Sequence, residues 1–426
     1  MPVSIAKRPS TLFGSRAIVN AGALVFAASM ALNVGGFVFH AIASRRLGVD
    51  DYGALYALIS LYGLAALPVS VFAPVVTKYS AEFGALHDDA HVRGLIGLIV
   101  RAFLVVGAVY VVAGYALAFP LAAFLHLAPW EIPIVGVMAA VAALSTTMRA
   151  IGQGVHAYGA YAWSMASEGT VKVLALGMFA FVGLTTFGAT GAFLCGVVAG
   201  ATFIAIPLFK KYRGVVPVDV LLDWRRIFAT VGGAAVLTLT MTAMGFADVL
   251  IVKHYFPAGQ AGLYSAASLC GRILLYFVGF VPAILIPQAT HRHARGEQTR
   301  KILWGAVAFI VVVSILGVCA YRIGGALLLH VLTGQAFDAA LPLLPTYAAA
   351  MAALALTNGL GAYGISTHRL AFVIPLLVAT LATLATIALV HPTLLAVVSE
   401  LMIGNFVMAL TVVASLAIQG ARERPA

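Results

Sequence analysis

Charged residues are scarce in this 426-residue chain: they make up 9% of it, whereas hydrophobic residues make up 62%. A soluble globular protein carries about 25% charged and 45–50% apolar residues, so this chain cannot cover itself with a hydrated surface. Intrinsic disorder is also excluded, because a disordered chain combines low hydrophobicity with high net charge. The composition therefore predicts a protein that crosses a membrane many times.

Cysteine and catalytic motifs are also in short supply. The three cysteines, Cys195, Cys270 and Cys319, lie far apart in apolar stretches, so their spacing predicts neither a metal site nor a disulfide. The sequence has no GxSxG, HExxH or Walker phosphate-binding motif. We therefore expect no enzymatic activity, no bound metal and no cofactor; coupling to H⁺ or Na⁺ stays open.

Long apolar stretches are what the chain has in abundance. A helix needs about 20 apolar residues to cross the hydrocarbon core of a bilayer, and periodicity and composition divide the sequence into twelve such stretches. Their predicted bounds are 17–43, 54–77, 96–119, 132–153, 160–183, 187–209, 229–252, 263–288, 302–328, 340–362, 367–390 and 393–419. We predict an all-α polytopic membrane protein with twelve transmembrane helices and no soluble domain.

Positive charge is distributed unevenly along this pattern. The net charge is +11, and twelve crossings place most of the 25 lysines and arginines on the side of the two termini. The opposite side receives Arg45, Arg46, Lys253 and Arg322. Because cytoplasmic loops carry the excess of Lys and Arg, both termini are predicted to be cytoplasmic. The charge then reflects topology and contact with membrane lipids, and we expect no binding to nucleic acid.

The second half of the chain weakly repeats the first. Residues 55–56 (Leu-Tyr) recur at 263–264, and Gly63 recurs at the same spacing as Gly271. These matches fall in the second and eighth stretches, so each half holds six spans and the halves are parallel repeats. We predict two pseudo-symmetric six-helix lobes with a connector, at residues 1–209, 210–228 and 229–426.

Three ionisable residues lie well inside predicted spans, where charge is costly and is typical of functional sites, and a fourth, Asp248, lies near the outer end of the seventh span. Glu168 and Lys172 are one helical turn apart on a single face. They either line a cavity or neutralise each other structurally. Arg272 has no acid within one turn, so it either contacts a ligand or forms a structural bridge, with Asp248 as the candidate partner.

Two further arginines lie near the ends of predicted spans. Arg149 is close to the cytoplasmic end of the fourth span, where it could line a cavity mouth or extend to the interface. Arg46 lies beside Arg45 in a charged loop on the side predicted to be outside, against the trend of the other basic residues. That loop is either a solvated turn or a contact for a departing ligand.

Several segments resemble one known family. Residues 46–53 (RLGVDDYG), the segment from Gln153-Gly154 to Lys172, residues 247–251 (ADVLI) and residues 261–267 (AGLYSAA) occur in the order expected for it. They resemble the polysaccharide repeat-unit (Wzx-type) flippases of the multidrug/oligosaccharidyl-lipid/polysaccharide (MOP) exporter superfamily. The resemblance covers most of the chain.

The resemblance implies a MATE-like fold and a transport function in polysaccharide biosynthesis. The expected substrate is an undecaprenyl-diphosphate-linked oligosaccharide, moved from the cytoplasmic to the periplasmic leaflet of the bacterial inner membrane by alternating access. Lys172, Arg272 and Arg149 would suit its diphosphate, because charge-assisted contacts to phosphate are strong. Other polysaccharide-assembly membrane proteins are candidate partners.

Two alternatives remain at this point. A cation-coupled multidrug exporter of the same superfamily is the main one, although such exporters often carry an acid in the first span, where this chain has Asn20, Asn33 and His40. A membrane glycosyltransferase or polymerase is the other, but it normally needs a sizeable outer loop, and the loops here are short.

Overall fold

The computed structural model describes residues 15–220, 224–279 and 298–422, with isolated positions between 281 and 295. Its helices are α1 (Ser15–Ala65), α2 (Leu67–Ala85), α3 (Asp89–Ala116), α4 (Ala118–Leu125), α5 (Ile132–Gly154), α6 (Tyr158–Val182), α7 (Thr186–Lys211), α8 (Trp224–Tyr255), α9 (Ala258–Val278), α10 (Arg300–Leu332), α11 (Leu344–Ser366), α12 (Val373–Leu389) and α13 (Leu394–Arg422). Short 3₁₀ helices, Pro129–Glu131 and Gln335–Leu343, precede α5 and α11. The described residues are almost entirely helical, which confirms the predicted all-α class.

All twelve predicted stretches fall on helices, although the eighth continues past α9 into residues that are only partly described. Ten described segments are long and apolar enough to cross a membrane, and α12 is a shorter apolar helix. The first of the ten joins two predicted stretches in one run, 23–65. The pattern is that of a multi-pass membrane protein. Most helices extend several residues beyond the predicted bounds, whereas α12 (Val373–Leu389) is shorter than its predicted stretch 367–390. Thus α7 and α8 extend into both ends of the predicted connector 210–228.

A glycine makes the turn between the first two spans. Helix α1 is interrupted at Gly48, which has φ 75° and ψ −176°. An L-residue with a side chain rarely adopts this conformation, whereas glycine adopts it without a steric penalty. The next turn, between α2 and α3, ends at Asp88, whose carboxylate accepts hydrogen bonds from the backbone and ring of His91. The backbone bond to His91 is the main cause of the lowered pKa of Asp88.

The repeat predicted from sequence has a counterpart in packing. Gly63 faces the ring of Phe246, and a Cβ atom at Gly63 would lie 2.9 Å from that ring. Gly271, its repeat partner, faces the ring of Tyr347 in the same way. At both positions a large aromatic side chain occupies the space that a glycine leaves beside a helix. In the two lobes, α1–α7 and α8–α13, the repeated glycine thus faces an aromatic ring, but the ring comes from the other lobe at Gly63 and from the same lobe at Gly271.

The lobes meet closely at the end where Gly48 lies. A Cβ atom at Gly53 would be 2.8 Å from the backbone nitrogen of Gly262, so the α1 and α9 backbones touch. Arg45 donates hydrogen bonds to the carbonyls of His330 (2.6 Å) and Val331 (2.8 Å) at the end of α10. We call this contact between residues 44–53 and residues 258–262 and 330–337 the closed seam.

Candidate functional site

The N-lobe cluster consists of Arg149, Ser164, Glu168 and Lys172, on α5 and α6. Arg149 Nη2 lies 2.7 Å from Glu168 Oε2, and its Nε donates to the Ser164 hydroxyl at 2.8 Å. Lys172 Nζ is 3.8 Å from the other oxygen of Glu168, Oε1. The one-turn spacing predicted from sequence thus brings Glu168 and Lys172 together, and Arg149 joins them from the neighbouring helix.

Two glycines of α7 make room for this cluster. A Cβ atom at Gly200 would lie 2.6 Å from Arg149 Nη2 and 2.9 Å from Glu168 Oε2. A Cβ atom at Gly196 would lie 2.7 Å from the Glu168 carbonyl oxygen and from Lys172 Cβ. Small residues four positions apart allow membrane helices to approach closely, and here they let α6 turn its charged face into the lobe.

The C-lobe cluster consists of Asp248, Tyr264, Ser268, Arg272 and Tyr347, on α8, α9 and α11. Asp248 is completely buried, and its Oδ2 accepts hydrogen bonds from the hydroxyls of Tyr347 (2.6 Å) and Tyr264 (2.9 Å). The Tyr347 and Ser268 hydroxyls are 2.9 Å apart. Arg272 Nη2 is 3.8 Å from Asp248 Oδ1. The candidate partner of Arg272 therefore does lie beside it, at a distance too long for a hydrogen bond.

Arg272 is buried with incomplete hydrogen bonding. Its side chain is 5% exposed, and its Nε and Nη2 atoms have no hydrogen-bond partner within the described residues. Instead its guanidinium lies over two rings, 4.7 Å from the centre of Phe246 and 5.5 Å from the centre of Tyr56. Tyr56 belongs to the N-lobe, so Arg272 reaches the boundary between the lobes with N–H groups to spare.

Aromatic residues of α1 connect the two clusters. Lys172 Nζ lies 4.6 Å from the centre of the Phe193 ring, which packs on Phe39. His40 follows: its Nδ1 is 3.3 Å from the Tyr52 hydroxyl, and its ring lies 5.3 Å from that of Tyr56. Tyr56 completes the path to Arg272, so the cationic residues of both lobes flank one buried aromatic layer.

Sequence reasoning missed most of this layer. In the sequence, His40 stands out only as a polar residue of the first span, and Tyr56 and Tyr264 only as repeat matches. Tyr52 entered only as a residue of the 46–53 motif, and Tyr347 carried no signal, because an aromatic residue in an apolar span is usually part of the packed core. The repeat itself was the available signal, since Tyr264 belongs to the C-lobe cluster and Tyr56 lies against its Arg272.

Arg46 lies apart from the other five predicted site residues. It is exposed at the closed seam, and it forms no ion pair with any residue that the structure describes. The two clusters, in contrast, are buried in the spans. Among the described residues, no group of three His, Cys, Asp or Glu side chains is arranged to hold a metal ion.

Comparison with solved structures identifies similar folds. The chain matches the inward-facing conformation of a multidrug resistance MATE family transporter of the MOP superfamily with a TM-score of 0.75 and 14% identity, over 95% of this chain and 99% of that one. It matches the lipid II flippase MurJ, in an inward closed conformation, with a TM-score of 0.65 and 11% identity, over 94% and 87%. An outward-facing MATE conformation gives a TM-score of 0.54 and 17% identity, over 94% and 96%.

No protein-family model and no curated protein matches the sequence. Identities of 11–17% establish the fold and not the substrate. The TM-score is higher against the inward-facing MATE conformation than against the outward-facing one. The protein therefore has the two-lobed helical fold of MATE transporters and MurJ.

Proposed function

We propose that this protein is a flippase for a lipid-linked oligosaccharide. It would move an undecaprenyl-diphosphate-linked repeat unit from the cytoplasmic to the periplasmic leaflet of a bacterial inner membrane, by alternating access of the two lobes. Both termini would then be cytoplasmic and the closed seam periplasmic. No chemical step on the substrate is required, so the protein would act as a transporter rather than as an enzyme.

The observation that carries the proposal is the state of Arg272. A buried N–H group without a hydrogen-bond partner costs about 1–3 kcal/mol, and more when the group is charged. Arg272 leaves Nε and Nη2 in this condition at the lobe boundary. A diphosphate offers several anionic oxygens and would satisfy both, because guanidinium and phosphate form short, strong bidentate hydrogen bonds.

The charge balance of the two clusters supports an anionic ligand. Arg149, Lys172 and Arg272 supply three positive charges, against two negative charges from Glu168 and Asp248. A cationic drug entering this layer would have to displace an arginine or lysine from a carboxylate. A negatively charged head group would meet the excess positive charge directly, so the same residues favour an anion over a cation.

The test compares variants in the organism that carries the gene, after its chromosomal copy has been deleted. Arg272→Ala and Lys172→Ala should each reduce surface polysaccharide by at least about tenfold, the rate equivalent of about 1.4 kcal/mol. Lipid-linked repeat units should accumulate on the cytoplasmic side. Arg322→Ala, at an exposed arginine of α10, is the matched control and should behave as the parent.

Each variant must reach the membrane in the parent's amount, measured by immunoblot of the membrane fraction. Normal polysaccharide export by the Arg272→Ala, Lys172→Ala double variant would contradict the proposal. The alternative, a cation-coupled multidrug exporter, predicts instead that deletion changes sensitivity to cationic dyes while surface polysaccharide is unaffected. Repeat units that cross the membrane but are not joined would point to a polymerase or glycosyltransferase.

A further inference from the structure

A groove on the outer surface of the lobes lies apart from both clusters. It has a volume of about 610 Å³, and its apolar lining comes from three helices, α1, α6 and the end of α10. Its lining includes the side chains of Phe37, Val38, Phe181 and Val331, and Gly177, which has no side chain. This volume is within the range of about 300–1,000 Å³ that is usual for ligand sites. Because α10 belongs to the C-lobe, the groove crosses the lobe boundary.

Two arginines stand at one end of this groove, at the closed seam. The Nη atoms of Arg45 donate to backbone carbonyls of Ala41, His330 and Val331, so this guanidinium joins the lobes. Because these acceptors are uncharged, they do not neutralise its positive charge. Arg46 is exposed beside it and forms no ion pair with the described residues. The groove is thus apolar along its length and doubly positive at its end.

The length of the groove corresponds to one leaflet. From Phe37 to Arg46, α1 rises about 14 Å, at 1.5 Å per residue. Half of the hydrocarbon core of a bilayer is about 15 Å. An apolar chain in the groove would therefore reach the middle of the bilayer while its head group stays at the arginines.

We propose that the groove binds an anionic phospholipid of the leaflet next to the closed seam. One acyl chain would lie along Phe37, Val38 and Phe181, and the phosphate would contact Arg46 and the exposed edge of Arg45. A diacyl lipid fits the one-leaflet length, whereas an undecaprenyl chain is much longer than a leaflet is deep. This inference does not rest on the proposed transport function, because it concerns the outside of the lobes.

A tryptophan reporter can measure occupancy directly. The full-length protein carrying Phe181→Trp is placed in nanodiscs with either dibrominated phosphatidylglycerol or dibrominated phosphatidylcholine, and the quenching of the added tryptophan is taken relative to the parent. We expect phosphatidylglycerol to be preferred about fivefold for each basic residue engaged. Arg46→Gln should lower this preference about fivefold, and Arg322→Gln should leave it unchanged.

A second variant tests the groove separately from the charge. A Cβ atom at Gly177 would meet nothing within 4 Å, so Gly177→Leu adds a side chain to the lining of the groove. It should reduce quenching by the anionic lipid. Gly159→Leu, at another open glycine of α6 outside the groove, should not.

Three results would overturn the proposal. The first is equal quenching of the parent reporter by the anionic and the zwitterionic lipid. The second is the same loss of preference in Arg322→Gln as in Arg46→Gln, which would indicate only general surface charge. The third is displacement of brominated phosphatidylglycerol by an equal amount of undecaprenyl phosphate, which would assign the groove to the carrier lipid.

Discussion

The two lobes bury their charges in different ways. In the N-lobe cluster, Arg149 is fixed by hydrogen bonds to Ser164 and Glu168, and Lys172 lies on the remaining carboxylate oxygen. In the C-lobe cluster, two tyrosine hydroxyls donate to Asp248 Oδ2, and Arg272 Nη2 stays 3.8 Å from Asp248 Oδ1. Among the described residues, neither this Oδ1 nor the Nε and Nη2 atoms of Arg272 has a hydrogen-bond partner. Arg149 is therefore fixed by hydrogen bonds within its lobe, whereas Arg272 has N–H groups available for a ligand.

This difference separates a structural role from a binding role. A buried ion pair contributes little net stability relative to an apolar pair, but losing one member leaves a buried charge uncompensated. The Arg149–Glu168 pair has this character. Arg272 is buried although two of its nitrogens have no hydrogen-bond partner among the described residues. A ligand that accepts hydrogen bonds from these nitrogens during transport would explain this arrangement. Four predictions test the contrast.

The largest expected effect is on the stability of the N-lobe. Arg149→Met should reduce the free energy of unfolding by about 3–5 kcal/mol, because Glu168 keeps only the weaker contact with Lys172. Arg272→Met should cost less, because the two tyrosine hydrogen bonds to Asp248 Oδ2 remain and two unpartnered donors disappear. The measurement is denaturant unfolding of both variants in one detergent.

A double-mutant cycle sharpens this result. Combining Arg149→Met with Glu168→Gln should recover part of the lost stability, whereas combining Arg272→Met with Asp248→Asn should recover less. Equal losses and equal recoveries in the two lobes would remove the distinction between a locked and an available arginine.

The next effect concerns the tyrosines that hold Asp248. Tyr347→Phe removes the 2.6 Å hydrogen bond to this completely buried carboxylate and should cost about 1.5–3 kcal/mol, the usual contribution of a hydrogen bond to a charged group. Tyr363→Phe is the control on the same helix, since its hydroxyl bonds Thr299 outside the cluster. Unfolding of both variants under identical conditions checks the difference, and a similar cost for the two would contradict it.

The glycines behind the N-lobe cluster give a third, comparable effect. Gly200→Ala places a methyl group 2.6 Å from Arg149 Nη2, and such overpacking typically costs about 1–3 kcal/mol. Gly191→Ala, on the same helix, has its nearest neighbour at 4.0 Å and should be neutral or slightly stabilising. Thermal unfolding of the two variants side by side measures the difference in stability. An unchanged stability of Gly200→Ala would contradict the prediction, because the cluster would then accommodate the methyl group by a small shift of its side chains.

The sequence was sufficient for the fold and for the helical positions of the charges. Apolar length placed the spans, and the one-turn spacing of Glu168 and Lys172 placed both on one face of α6. It could not show that Arg149 would complete that pair from α5, because contact between helices depends on how they cross. The hydrogen bond from Tyr347 to Asp248 could not be predicted either, because the two residues are 99 positions apart in sequence. Tyrosine is also polar only at its hydroxyl, so it resembles an ordinary core residue in an apolar span.

The smallest expected effect on stability concerns the contact between Tyr56 and Arg272, which joins the two lobes. Tyr56 of the N-lobe stacks on Arg272 of the C-lobe, and a cation–π contact contributes about 0.5–2 kcal/mol. Tyr56→Leu should therefore change stability only slightly, yet it removes the aromatic contact that Arg272 makes across the lobe boundary. If Arg272 must leave this ring to meet a ligand, Tyr56→Leu should alter polysaccharide export more than it alters unfolding, and Tyr56→Phe, which keeps the ring, should match the parent in both. A loss of export in Tyr56→Phe as large as in Tyr56→Leu would assign the effect to the hydroxyl and not to the contact between the lobes.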